Sequence, residues 1–303
     1  NVFNTKQSIM ITNINSKDDI ANHKDYILEQ EHWLADLKDP VIQQHMANNF
    51  QSAAVFDETF TQEEIDWIYG FAFSRCTTVR HNDNGTMFIS GNLQGVYEKF
   101  ADRINKMIPG AENSPCVGGN FFITPSQYGL HNDSTRESDW VQSLERTPRD
   151  SDRRKWVPWR NMIIPLFTAP SGINSHATFF DQRHADFAHV YHHGKRANQT
   201  VATTYPIADD HGKLDFHLLD GTVQSKEDNL RKYNVEHHEE YLYYTPYKRL
   251  TGLTPELTCE WKPASPVVFD AVQLHATNKG FKDQSQWTTK MGLLLTFLKE
   301  VPQ

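Results

Sequence analysis

The stretch Asn120-Phe-Phe-Ile-Thr-Pro-Ser-Gln-Tyr-Gly-Leu-His-Asn-Asp133 decides how this chain is read. It opens as a short apolar run, passes through a turn, and ends on His131 and Asp133 with one residue between them. In an extended segment, residues i and i+2 point to the same side, so both side chains can offer donor atoms to one ion. The triplet alone is a weak signal. The chain holds 15 His, and His-x-Asp/Glu triplets also start at His23, His81, His184, His237 and His238. Context separates them. His81 lies in Asn-Asp-Asn-Gly, turn chemistry that predicts a hairpin tip. His23 falls in a polar helical pattern, where i and i+2 point apart. His184, His237 and His238 follow no strand, and Leu242 stands where an H-E-x-x-H motif begun at His238 needs its second His. His189, His192 and His193 share a helix face at i, i+3 and i+4, with no carboxylate in that register. His131 alone follows a strand.

Working outward, Pro266-Val-Val-Phe-Asp-Ala-Val-Gln-Leu-His-Ala-Thr-Asn278 reads as an apolar strand, a turn, and then His275. Lys290-Met-Gly-Leu-Leu-Leu-Thr-Phe297 reads as a strand that begins on a cation. Two His and one carboxylate on one face of a metal leave three positions open, the facial triad of non-haem Fe(II) oxygenases. Short apolar runs at 120–124, 159–167, 177–180, 257–261, 267–269 and 291–298 alternate with Pro, Gly and Asp turns. Short strands at irregular intervals predict an antiparallel sandwich or barrel. Residues 181–256, rich in His, Tyr and charge, interrupt this pattern as a long insertion with some helix near 226–243.

The part before residue 118 reads differently. A helix is expected from Asp18 to Leu37, with Asp39-Pro40 as its stop. A short strand follows at 53–57, and the capping box Thr61-Gln-Glu-Glu64 opens a helix through Ile65, Ile68 and Phe71. Strands are expected at 76–80 and 86–90. Val96, Phe100, Ile104 and Met107 line one face of a further helix from Asn92 to Met107. No repeat or linker breaks the chain, so one domain is expected over 1–303. It comprises a helical and mixed part (1–117) and a β core (118–298) carrying the insertion.

With 38% hydrophobic residues in 303, the chain can bury a sizeable core and is not a disordered protein. A net charge of −8 and a pI near 6.0 argue against a nucleic-acid binder. The exception is local: residues 146–160 carry six cations against two Asp, with Trp156 and Trp159 between them. Cys76, Cys116 and Cys259 form no C-x-x-C pair, which disfavours a disulfide framework or zinc ribbon and points to a reducing compartment. No apolar run approaches membrane-spanning length, and residues 1–19 lack the pattern of a signal peptide. A cytoplasmic protein without membrane association is expected.

The order of these pieces resembles the Fe(II)/2-oxoglutarate-dependent oxygenase superfamily, in its prolyl-hydroxylase-like branch. The resemblance is loose over 55–80 and firmer over 118–298. It rests on Val55–Glu64, which looks like the entry helix of that branch, on Trp159–Leu166 as the strand after His-x-Asp, and on Phe269–His275 around the distal ligand. It implies an α+β fold: a double-stranded β-helix core (jelly-roll, cupin-like) with N-terminal helices packed on it and a long insertion. It implies that His131, Asp133 and His275 hold Fe(II), and that Lys290 holds the distal carboxylate of 2-oxoglutarate. By the same likeness, Asn120 contacts that co-substrate. Two departures are the length of the segment between Asp133 and His275, and a Lys where Arg is commoner.

The implied cofactors are Fe(II), 2-oxoglutarate and O₂, with the co-substrate leaving as succinate and CO₂. Halogenating relatives replace the carboxylate by a small residue. Asp133 therefore implies hydroxylation, desaturation or oxidative cyclisation. The expected substrate is a small, carboxylated or amino-acid-derived metabolite, enclosed by the insertion as a lid and paired with Arg160, Arg154 or Arg153. The alternatives are a peptidyl or protein side-chain hydroxylase and, more distantly, a non-catalytic binding protein on the same fold. No obligatory protein partner is expected.

Overall fold

The computed structural model describes residues 37, 39–76, 78–81, 85–114, 117–125, 127–133, 155–171, 173–184, 195–196, 199–200, 216–278, 280 and 288–301. In chain order these form α1 (Pro40–Ala47), β1 (Ala54–Val55), α2 (Gln62–Arg75), β2 (Thr78–His81), β3 (Met87–Ser90), α3 (Gln94–Met107), β4 (Val117–Thr124) and β5 (Tyr128–His131). Then come β6 (Lys155–Ala169), β7 (His176–Arg183), β8 (Lys195–Arg196), β9 (Gln199–Thr200), α4 (Val235–Tyr241), β10 (Pro255–Glu260), β11 (Val267–Asp270), β12 (Gln273–Thr277) and β13 (Thr289–Val301). The helix expected over Asp18–Leu37 lies outside the described residues, apart from Leu37.

A seven-stranded sheet has the order β1-β11-β6-β13-β4-β3-β2, and a four-stranded sheet the order β10-β7-β12-β5. Every pairing within them is antiparallel. The chain steps between the two: β4 large, β5 small, β6 large, β7 and β10 small, β11 large, β12 small, β13 large. Eight strands wound this way make the jelly roll, or double-stranded β-helix, expected from the sequence. Phe179 of β7 and Phe269 of β11 meet across the gap with ring centroids 4.8 Å apart, so the two inner faces pack together.

Alternation along the strands explains both faces of the large sheet. Phe121, Met162, Ile164, Val268, Met291, Leu293, Leu295 and Phe297 point outward and are buried by Ile65, Ile68 and Ala72 of α2 and by Val96, Phe100, Ile104 and Met107 of α3. Each such large side chain contributes ~1.5–3 kcal/mol. That covering is why the N-terminal helices exist as an amphipathic pair. The capping box of α2 forms as the sequence predicts: Glu64 N–H donates to Thr61 Oγ1 at 3.3 Å, and Thr61 N–H to Glu64 Oε2 at 2.8 Å. Asp39-Pro40 does something the sequence reading did not assign to it. It starts α1 instead of merely ending a helix, because the Asp39 side chain accepts from Val41 N–H and Pro40 takes the first turn.

The insertion also differs from expectation in its described part. Phe216, Tyr233, Leu242, Leu250 and Leu253 pack on Leu130, Phe180, Leu274 and Ala276, the outward residues of the small sheet. Residues 216–254 therefore cover that sheet's back instead of closing over its inner face. The small sheet has an apolar outer row, and something must bury it. No helix among the described residues is long and apolar enough to cross a membrane.

Close approach of β13 to β4 depends on Gly119, whose φ is +130°. A Cβ there would lie 1.9 Å from the Leu294 carbonyl oxygen. Gly119→Ala is expected to lower stability by about 3 kcal/mol or more, through strain and a forced separation of the central strands. A denaturant midpoint equal to that of the unaltered protein would contradict this account.

Candidate metal centre

His131 ends β5 and His275 lies mid-β12; the two strands pair with these residues directly opposite. Their rings sit 4.1 Å apart by centroid. Each ring is oriented by its own strand. His131 Nδ1–H donates to the Gly129 carbonyl at 2.7 Å, and His275 Nδ1–H to the Gln273 carbonyl at 3.1 Å. A carbonyl only accepts, so Nδ1 carries the proton and the lone pair of the neutral ring is on Nε2, the tautomer a metal ligand needs. Phe179 stacks on the His275 ring at 5.5 Å and Phe269 tilts against it at 4.8 Å, which fixes the ring plane.

Asp133 completes the group. Its Oδ1 is 3.7 Å from His131 Nε2 and its Oδ2 is 3.6 Å from His275 Nε2. Asn132, between the two ligands, points the other way and anchors the segment by donating to the His184 carbonyl at 2.7 Å. Asp133 N–H is held by the Ala271 carbonyl at 3.2 Å, in the turn that leads into β12. Burial pushes the Asp133 carboxyl above its ordinary range, with His275 and a hydrogen bond from Asn161 pulling the other way. A partly buried carboxylate of this kind gains from a cation. Among the described residues, His131, Asp133 and His275 are the one group of three or more His, Cys, Asp or Glu whose ligand atoms converge, all within 4.8 Å.

The same cavity is lined by Asn120, Phe122, Thr124, Trp261, Thr277 and Lys290. Lys290 is 1% exposed. Its ammonium donates to Ser175 Oγ at 3.1 Å, to Thr277 Oγ1 at 3.2 Å and to the Asn278 carbonyl. These acceptors are neutral, and no carboxylate among the described residues pairs with it. Burial brings its pKa down to about 7. Asn120, buried on the neighbouring β4 opposite Leu294, lines the same cavity further along the strands, with Oδ1 lacking a partner among the described residues. A buried cation without a counter-charge in this cavity fits an anionic ligand beside the metal position.

Arg160 is placed elsewhere. It is buried at the opposite side of β6, where Nη1 meets Asp270 Oδ1 at 2.5 Å and the Gln51 carbonyl at 3.1 Å. Arg183 takes the other Asp270 oxygen at 2.7 Å. Arg160 therefore serves a buried ion-pair network and does not line the cavity, contrary to the substrate role expected for it. Asn161, the next residue, is the one that faces inward. The rival histidines are accounted for in part: His237 bonds the Tyr233 hydroxyl at 2.8 Å and Thr258 Oγ1 at 2.9 Å, and His238 bonds the Thr245 carbonyl at 2.8 Å. His23, His189, His192, His193, Arg153 and Arg154 lie outside the described residues.

Fold and group together define a double-stranded β-helix protein with a two-histidine, one-carboxylate centre. No protein-family model matches the sequence, and no curated protein matches it. Solved structures of 2-oxoglutarate-dependent oxygenases are distantly similar. The non-haem alpha-ketoglutarate-dependent epimerase SnoN of nogalamycin biosynthesis is 9% identical over 86% of this chain and 84% of its own, with a TM-score of 0.40. A Pseudomonas putida prolyl-4-hydroxylase is 10% identical over 84% and 97%, with a TM-score of 0.36. HygX from Streptomyces hygroscopicus, solved with nickel and 2-oxoglutarate bound, is 13% identical over 84% and 85%, with a TM-score of 0.37. The strand order above, not these distant likenesses, defines the fold.

Proposed function

We propose that this chain is an Fe(II)- and 2-oxoglutarate-dependent oxygenase acting on a small molecule. The observation that carries the reading is Lys290, a fully buried cation without an anionic partner among the described residues, in the cavity that also holds His131, Asp133 and His275. A structural lysine would be neutralised by a carboxylate or left at the surface. This one is kept for an anion that arrives with the ligand. In this reading His131, Asp133 and His275 hold the iron, and Lys290 with the Thr277 hydroxyl receives the distal carboxylate of the co-substrate. Asn120 offers its amide to the same molecule.

When bound, the iron supplies activation of O₂ coupled to decarboxylation of the 2-oxo acid, giving succinate and CO₂ and leaving one oxygen atom for substrate oxidation. The chain's own residues do the rest. The two imidazoles present Nε2 in fixed planes, and Asp133 supplies the anionic ligand. Phe122, Ile163, Trp261 and Leu294 form an apolar wall that limits water around the reacting groups. Lys290 is the one cation in that wall, so a substrate carboxylate has no described partner there, and the reading commits only to a small-molecule substrate. Hydroxylation, desaturation and ring closure all suit an intact His-Asp-His set.

The test is direct titration of the purified protein with Fe(II) and 2-oxoglutarate under anaerobic conditions. One iron and one 2-oxoglutarate are expected per chain, with a weak visible charge-transfer band, and slow succinate formation once air is admitted. Saturable iron binding without any 2-oxoglutarate binding would point instead to a metal-binding protein on this fold.

A further inference from the structure

Asn161 is an amide set into an otherwise apolar span of β6, Met162-Ile-Ile-Pro-Leu166. It is 0% exposed. Its Nδ2 donates to Asp133 Oδ2 at 2.9 Å, while its Oδ1 has no partner among the described residues. Burying an amide that is only half satisfied is unfavourable, so the residue is not there for packing. Asp133 Oδ1 accepts no hydrogen bond from a described residue. The two carboxylate oxygens are therefore unequal: each lies near one histidine Nε2, but Oδ2 is also tied to the large sheet by Asn161, while Oδ1 is not.

That inequality bears on how many positions around a metal stay open. A carboxylate that ligates through one oxygen leaves three of six positions for other ligands, and one that ligates through both leaves two. We propose that Asn161 is a positioning residue that confines Asp133 to one-oxygen ligation and so keeps one coordination position open for a co-reactant. This inference rests on the metal centre proposed above. It assigns a task to a residue outside the three ligands, on β6 of the large sheet, whereas His131 and His275 belong to the small sheet. Asn161 thereby ties the segment that carries Asp133 to the large sheet. Thr296, its cross-strand neighbour on β13, is equally buried but touches no ligand in the pairing seen here.

The experiment uses Mn(II) alone as the probe, read by calorimetry and by water-proton relaxation, which counts exchangeable waters on the bound ion. Asn161→Leu fills the site without a donor. It is expected to weaken Mn(II) binding by 10- to 100-fold, the usual effect of losing an outer hydrogen bond to a ligand. The bound-ion relaxivity should fall by about a third as a second carboxylate oxygen displaces a water. Thr296→Val should change neither. If Asn161→Leu does not fold, Asn161→Ala is read the same way. Unchanged affinity and water count in a folded Asn161 variant overturn the inference while leaving the metal centre standing. A wild-type protein that takes up no Mn(II) overturns both.

Discussion

His131→Ala and His275→Ala should each abolish metal binding at micromolar ion, and with it any succinate release, whereas His81→Ala should retain both. The two sensitive residues present Nε2 atoms whose tautomers are set by the Gly129 and Gln273 carbonyls. Removing one leaves a single imidazole and one carboxylate, too few donors for a stable site. Losing an outer-shell partner typically weakens metal binding 10–100-fold, so losing a ligand itself is expected to exceed about 100-fold. His81 begins the same His-Asn-Asp triplet, but it terminates β2 at the far edge of the large sheet, three strands from β13. Calorimetry with Mn(II) and the visible band with Fe(II) and 2-oxoglutarate check the pair. Full metal stoichiometry in His131→Ala would sink the assignment.

Lys290→Met should make the protein more stable and useless to its co-substrate. Burial lowers the Lys290 pKa from 10.5 to about 7, so the unfolded chain holds that proton more tightly than the folded one. The resulting penalty is fully present below pH 7 and disappears as pH rises toward 10.5. Its size is on the order of 5 kcal/mol. Methionine removes it, at the expense of the hydrogen bonds to Ser175, Thr277 and Asn278, and a net gain of about 1–4 kcal/mol at pH 7 is expected. The same change should weaken 2-oxoglutarate by ~2–5 kcal/mol, since a buried charge pair is lost. In the unaltered protein, binding the dianion should draw a proton onto Lys290 above pH 7. Affinity should then fall by up to about tenfold per pH unit above that point, and stay flat below it. Denaturant melts and calorimetry at several pH values test both halves. A Met variant that is less stable, or binds 2-oxoglutarate as before, contradicts the role given to Lys290.

The core was legible in the sequence wherever alternation met a turn signal. The runs at 120–124, 177–180 and 267–269 are strands, and the order His131, Asp133, His275, Lys290 does come together in space. What escaped was phase and company. At the start of β6, the sequence offers Arg160 and Asn161 side by side, and a shift of one residue exchanges the inner face for the outer. Charge favoured Arg160, yet Asp270 on the paired strand claims it, and the uncharged neighbour reaches Asp133. The partner was 110 residues away and invisible to local pattern. Asp39-Pro40 shows a similar ambiguity, because the same dipeptide can close one helix and cap the next. The insertion's role was hidden for another reason: an apolar back on the small sheet is apparent only once β5, β7 and β12 are known to be neighbours.

The position of β13 between β4 and β6 has a bearing on how the molecule is made. The strand at the centre of the large sheet is synthesised after both strands that flank it. Until it arrives, β4 and β6 have unpaired facing edges and an uncovered apolar face, and Lys290 has no cavity to sit in. Such long-range pairing is slow to form, and half-built sheets of this kind attract chaperones and one another. The chain must therefore keep a gap one strand wide from the synthesis of β6, which ends at Ala169, until β13 begins at Thr289. A ribosome paused before residue 289 would already have joined both histidines to the chain, but there would be no closed sheet to hold them against.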